Sequence, residues 1–123
     1  MPKRILVVDD EPDTLGLIEL TLSTAGYDVR TGFDGKTAIA LLRQEPFDLL
    51  LLDIMMPDIS GFEVIRQLQA GSTALPPLIF LTAKNRAEDR DQGNALGARA
   101  YLVKPTTRGQ LLDAIRRVIG ESA

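Results

Sequence analysis

The chain has 123 residues, a formal net charge of −3, and no histidine, cysteine or tryptophan. The length is that of one domain, so a single unit over residues 1–123 with no output domain behind it is expected. Lacking cysteine and histidine, the chain has no disulfides, no thiolate or imidazole metal ligands and no serine–histidine machinery, which leaves carboxylates, hydroxyls, lysine and backbone for any chemistry.

No apolar run approaches a membrane span. Near the N-terminus Lys3 and Arg4 precede four apolar residues, but Asp9 and Asp10 follow at once, too soon for a signal peptide. A cytoplasmic protein without membrane contact is expected. The mild acidity argues against a direct nucleic-acid footprint.

In chain order, the first element is a strand, Ile5 to Val8. A helix follows, with Leu15, Ile18 and Leu22 at helical spacing behind Pro12. After the turn signal Ala25-Gly26 comes a weaker strand, Asp28 to Thr31. A second helix carries Ala38, Leu41 and Leu42 and is closed off by Pro46. Leu49 to Leu52 is a strand, and Phe62, Ile65 and Leu68 mark a third helix. Leu78 to Leu81 is the next strand. The helix from Ala87 to Leu96 has few apolar anchors and is expected to pack loosely. A final strand, Tyr101 to Val103, precedes a helix with Leu111 or Leu112, Ile115 and Val118, opened by a capping box of Thr107 and Gln110.

Apart from the second strand, these runs are apolar at every position, which suits strands buried on both faces of a parallel sheet. Alternation of five strands with five helices means an α/β fold with helices on both faces, joined by right-handed crossovers. The length fits a flavodoxin-like doubly wound five-stranded parallel sheet of order 2-1-3-4-5. In such sheets the site lies at the carboxyl ends of the strands, where strand order reverses.

Those ends carry Asp9-Asp10-Glu11, Asp53, Thr82 and Lys104-Pro105. Each alone has an ordinary structural explanation; acids, for one, suit a helix N-terminus. Together they gather aspartates from two neighbouring strands, a hydroxyl and a lysine on one rim. Two carboxylates about 5 Å apart repel by roughly 3 kcal/mol at an effective dielectric near 20. Lys104 or a bound cation must compensate. Oxygen ligands alone select a hard ion, Mg²⁺ or Mn²⁺, and such an ion brings phosphate oxygens with it. The nucleophile candidates are the carboxylates, Thr82 and Lys104. A hydroxyl needs a base and a charged lysine is a poor nucleophile, whereas an ionised aspartate needs no activation. Asp53 is the best-placed acceptor of a phosphoryl group, with Lys104 and the ion neutralising its oxygens and Thr82 donating to one of them.

The segments Ile5-Leu6-Val7-Val8-Asp9-Asp10-Glu11-Pro12, Asp53-Ile54-Met55-Met56-Pro57 with Gly61, Leu81-Thr82-Ala83 and Tyr101-Leu102-Val103-Lys104-Pro105 resemble a response-regulator receiver domain of bacterial two-component signalling. The resemblance runs from about Lys3 to Ile119 and includes single-domain chemotaxis regulators. It implies that Asp53 is phosphorylated by a partner histidine kinase or histidine phosphotransfer protein and that the chain is a signalling domain, not a turnover enzyme. By the same resemblance Asp10 binds Mg²⁺ directly, Asp9 through water, and Asp53 and the Met55 backbone carbonyl complete the ligands. Thr82 and Lys104 contact the phosphoryl group, and Tyr101 is the switch aromatic coupled to Thr82. Met55 and Lys84 stand where the family tunes phosphoryl lifetime.

The implied output is a change in the face built from the fourth helix, fifth strand and fifth helix, read by an effector protein or a missing output domain, as a monomer or a phosphorylation-dependent dimer. Arg99-Ala100 replaces the acidic pair of many DNA-binding relatives, which speaks against a charge-paired dimer of their type. Arg86, Arg90, Arg99, Arg108, Arg116 and Arg117 either meet an acidic partner at that face or are solvated helix charges.

Other readings fare worse. A haloacid-dehalogenase-like phosphatase wants a second acid two residues after the nucleophile, where Met55 stands. A flavodoxin-type module wants a hydroxyl- and glycine-rich phosphate loop where Asp9-Asp10-Glu11 would repel the phosphate. There is no G-x-G-x-x-G or P-loop motif. A pseudo-receiver acting only as an interaction module is the remaining alternative, although no acceptor or acid is missing.

Overall fold

A computed structural model describes residues 2–83 and 87–120. Five strands, β1 (Arg4–Val8), β2 (Asp28–Gly32), β3 (Leu49–Asp53), β4 (Leu78–Thr82) and β5 (Ala100–Val103), form one parallel sheet ordered β2-β1-β3-β4-β5. Between and after them run α1 (Pro12–Thr24), α2 (Gly35–Gln44), α3 (Gly61–Ala70), α4 (Ala87–Ala95) and α5 (Arg108–Ile119). Both the architecture and the strand order match the expectation.

The three central strands are apolar except for Arg4 at the start of β1 and the terminal Asp53 and Thr82, because both of their faces are covered. On one face Leu6, Val8, Leu50, Leu52 and Phe80 pack under α2 and α3 through Ala38, Leu42, Phe62, Ile65 and Leu68. On the other, Ile5, Val7, Leu49, Leu51, Ile79 and Leu81 pack against Leu15, Ile18 and Leu22 of α1 and Leu111, Leu112 and Ile115 of α5. Side chains alternate between the faces along each strand. Burying each leucine or isoleucine contributes about 1.5–3 kcal/mol, so β1, β3 and β4, which end in the aspartates and Thr82, are anchored along their length in the core.

The helix starts follow local chemistry. Asp34 Oδ1 accepts the Thr37 N–H at 2.8 Å and Ser60 Oγ the Glu63 N–H at 3.1 Å. The capping box of α5 closes both ways, Gln110 N–H to Thr107 Oγ1 and Thr107 N–H to Gln110 Oε1, each at 3.1 Å. At the opposite end of the sheet, Arg4 ties β1 to Asp28 at 3.2 Å and to Glu45 at 2.8 Å.

One expectation needs correction and one is refined. The run Tyr101 to Val103 is half-buried, not sealed on both faces. β5 is an edge strand, and α4 beside it buries only Gly93; an apolar run does not say whether its strand is central. In α2 it is Ile39 that is buried with Ala38 and Leu42, while Leu41 is half-buried, and in α3 Val64 joins the core. The spacing found the core-facing side of both helices, Leu41 packing against the same core at its margin, and Ile39 and Val64 widen the buried stripes.

Candidate functional site

At the carboxyl end of the sheet, strand termini deliver the rim residues. Asp9 follows β1, its N–H bonded to Gly32 O at 3.1 Å. Asp53 ends β3, Thr82 ends β4, and Lys104 follows β5 with its N–H on Thr82 O at 2.7 Å. Asp9, Asp53 and Thr82 are buried, at 0%, 2% and 2% exposure. α3 starts directly beneath the acceptor strand, where a Cβ on Gly61 would stand 2.5 Å from the Asp53 carbonyl oxygen. Only glycine fits there, which accounts for Gly61 in the motif.

The Lys104 ammonium joins the elements. Its Nζ lies 2.7 Å from Asp9 Oδ2, 2.8 Å from Glu11 Oε1 and 3.2 Å from Asp53 Oδ2. The remaining aspartate oxygens take backbone donors: Asp9 Oδ1 accepts the Glu11 N–H at 2.9 Å, and Asp53 Oδ1 the Met55 N–H at 3.2 Å. Glu11 is the member of this cluster that the sequence left unassigned: two strands separate β1 from β5 in the sheet, and no local pattern pairs Glu11 with Lys104.

One cation faces three carboxylates here. Burial first, then the charge of Asp9, pushes the Asp53 carboxyl up to about 7, against the pull of Lys104 and the Met55 N–H. Burial works against the charge of Lys104, but its hydrogen bonds with Asp9 and Glu11 and the charges of Asp53 and Asp9 outweigh that and raise its pKa. The hydrogen bond from Lys104 holds Glu11 below the usual carboxylate range.

Asp9, Asp10 and Asp53 each offer a carboxylate oxygen, all within 4.8 Å of one another. Asp9 is fully buried, and the Lys104 ammonium at 2.7 Å is the cationic partner of its Oδ2. Three aspartates beside one ammonium form a cluster of oxygen donors short of positive charge, which fits a small hard divalent cation.

The other expected residues are placed as follows. Met55 is exposed at 58%, beside the acceptor. Tyr101 lies beneath α4: its hydroxyl donates to the Asp89 carbonyl at 2.6 Å and its ring sits 5.6 Å from that of Phe80. Gly93 makes this possible, since a Cβ there would stand 1.5 Å from the Tyr101 hydroxyl. The Arg90 guanidinium covers the ring at 5.5 Å. Lys84 and Arg86 lie outside the described residues.

A second residue not foreseen is Asp58, in the loop between β3 and α3. Its carboxylate accepts the N–H groups of Gly35 and Lys36 at the start of α2, each at 3.0 Å. Some desolvation opposes its charge, but the donors Gly35, Lys36 and Ile59 hold its carboxyl below the ordinary value.

Residues 5–116 match the family model of the response regulator receiver domain. The transcriptional regulatory protein TrcR of Mycobacterium tuberculosis is 38% identical over 99% of this chain and 47% of its own length. The alkaline phosphatase synthesis regulator PhoP of Bacillus subtilis is 37% identical over 99% of this chain and 50% of its own. Among solved structures, the chemotaxis protein CheY4 of Vibrio cholerae superposes with a TM-score of 0.90 at 34% identity, covering 96% of this chain and 99% of that one. The receiver domain of the sensor histidine kinase PA1611 of Pseudomonas aeruginosa, solved with a magnesium ion in its active-site cleft, gives 0.87 at 31% identity, covering 98% and 100%.

The chain therefore belongs to the response-regulator receiver domain family, a signalling domain of two-component systems with a flavodoxin-like fold. It spans about half the length of the curated relatives it matches. Among the described residues no helix is long and apolar enough to cross a membrane.

Proposed function

We propose that this chain is a phosphoacceptor receiver in which Asp53 takes a phosphoryl group from a phosphohistidine on a partner kinase or phosphotransfer protein. The observation that carries the reading is the Lys104 ammonium held between Asp9 and Asp53 at 2.7 and 3.2 Å. It puts a fixed positive charge beside the acceptor, where negative charge must be neutralised during phosphoryl transfer.

A carboxylate oxygen of Asp53 attacks phosphorus as the phosphorus–nitrogen bond of the donor breaks, and the freed imidazole keeps that electron pair. Lys104 turns from Asp53 to the incoming phosphoryl oxygens, and the Thr82 hydroxyl donates to another of them. Asp10 directly, Asp9 through water, Asp53 and the Met55 carbonyl would hold Mg²⁺, with Mn²⁺ as substitute. When bound, the ion supplies the charge neutralisation that one lysine cannot. The 123 residues contain no histidine, so the donor histidine lies outside them.

Docking of that partner is supported by an apolar groove of about 430 Å³ between α1 and α5, lined by Leu17, Ile18, Pro105 and Leu111 and reaching Lys104. Downstream, Tyr101 and Thr82 would couple the modified site to α4, β5 and α5. α4 suits a movable element, because it buries only Gly93. Met55 offers an attacking water no hydrogen bond, and we assign it a role in slowing hydrolysis of the phosphoryl group. The setting is cytoplasmic, with an effector protein or attached output domain as reader.

The test is exposure to a small acyl-phosphate donor with and without Mg²⁺, read by intact mass. One phosphoryl group should be added only with the divalent ion, and none to Asp53→Asn. Equal labelling of the variant would overturn the assignment.

A further inference from the structure

We propose that Asp58 is a positioning residue of the phosphoryl site: it docks the β3–α3 loop onto the start of α2 and so holds the Met55 segment in place beside Asp53. The inference deepens the reading above and rests on it, since it concerns the segment whose Met55 carbonyl would complete the metal seat.

The loop from Ile54 to Ser60 is fastened near its ends. Close to Asp53, the Met55 N–H bonds the acceptor carboxylate at 3.2 Å. At its far end the Gly61 N–H returns to the Ile54 carbonyl at 2.8 Å. Between these points Asp58 reaches across to a different helix and accepts the Gly35 and Lys36 N–H groups at 3.0 Å each.

Helix capping alone does not explain this contact. α2 already has its own cap, Asp34 accepting the Thr37 N–H at 2.8 Å. Gly35 and Lys36 belong to the first-turn N–H groups that have no partner within their own helix. Their partner here comes from 23 and 22 residues away. Packing reinforces the clamp: a Cβ on Gly35 would stand 2.4 Å from Ile59 Cγ1 and 2.9 Å from Val64 Cγ2. Glycine at the first turn of α2 therefore lets the helix start seat directly against the loop. Polar and apolar contacts thus hold the loop at neighbouring residues, Asp58 and Ile59.

Releasing the clamp leaves Asp9, Asp10, Asp53 and Lys104 untouched but frees the middle of the loop. A ligand carbonyl on a mobile loop must be ordered at the moment of binding, and groups that orient metal ligands typically cost 10–100-fold in affinity when removed. Coupling is reciprocal, so an ion bound at the rim should slow exchange of the Gly35 and Lys36 amides.

The experiment measures Mg²⁺ affinity by isothermal calorimetry, urea stability, and hydrogen exchange of those two amides, for wild type, Asp58→Ala, Asp58→Asn and Gly35→Ala. Asp58→Ala should bind Mg²⁺ about 10-fold more weakly while remaining folded, and ion-induced protection of the two amides should vanish. Asp58→Asn, which keeps an acceptor oxygen, should recover part of the affinity. Gly35→Ala, which pushes the loop away from the helix side, should weaken binding as well. If Asp58→Ala lowers stability yet binds Mg²⁺ as wild type does, Asp58 is a helix cap only and the inference falls. Should wild type itself bind no Mg²⁺, the metal seat is wrong, a separate outcome that overturns the inference with it.

Discussion

Replacing Asp53 by asparagine should stabilise the metal-free protein while abolishing the acceptor. Asp53 is 2% exposed, and its carboxyl is displaced from an ordinary value of 3.8 to about 7, by burial first and the charge of Asp9 second. At about 1.4 kcal/mol per pH unit, ionising Asp53 in the folded, metal-free protein costs roughly 4 kcal/mol at pH 8. The attraction of Lys104 is already contained in that figure. Local relaxation lowers it, so a gain of about 2–4 kcal/mol is expected for Asp53→Asn. The sign with pH follows from linkage. Because the folded value lies above the unfolded one, the stability tied to the protonated form is complete below about pH 4 and is lost as pH rises through about 7. Asparagine does not titrate. Its advantage should therefore be smallest near pH 4, grow across that window and level off above it. Urea unfolding followed by circular dichroism, in a chelating buffer at steps from pH 4 to 8, measures it. An Asp53→Asn protein less stable than wild type at pH 8, or an advantage that does not change with pH, would refute the reasoning.

Three further outcomes are expected. Millimolar Mg²⁺ should raise the melting temperature of wild type, by relieving the acidic cluster, and have a much smaller effect on Asp53→Asn; a calorimetric scan of both checks this. Lys104→Ala in chelating buffer leaves the buried Asp9 carboxylate without its cation and should cost about 3–5 kcal/mol, with added Mg²⁺ recovering a larger share than in wild type; urea titrations with and without the ion decide. Gly93→Ala should expel the Tyr101 ring from beneath α4, break its bond to the Asp89 carbonyl and destabilise the fold by about 1–3 kcal/mol. A crystal structure of that variant with Tyr101 still in place would show that the glycine is not what admits the ring.

How far this site could be read from sequence depended on the range of the interaction. The burial of Leu49 to Leu52 and the placement of Asp53 at a strand end follow from local pattern, because a central parallel strand is apolar on both faces and its polar successor must lie at the rim. The second ligand of Lys104 does not follow from pattern: Glu11 is 93 residues away, and only the packed sheet brings it within 2.8 Å. Asp58 was silent for the same reason, since its partners belong to another helix. Tyr101 misled differently. Its apolar neighbours suggested full burial, but β5 is an edge strand and the helix over it offers one glycine as a socket. That Ile39 is buried while Leu41 stands at the core's margin is a matter of where the stripe is centred, which a five-residue apolar stretch in α2 leaves open.

The most direct measurement of the central claim is chemical trapping of the acyl phosphate. The protein is incubated with Mg²⁺ and a phosphorylated histidine kinase or a small phosphodonor, reduced with borohydride, digested and mapped by tandem mass spectrometry. Reduction of a phosphoaspartate should leave homoserine at position 53 and nowhere else, with no conversion when the ion is chelated. Homoserine at Asp9 or Asp10, or a stable phosphate on Thr82, would contradict the assignment of Asp53 as the acceptor.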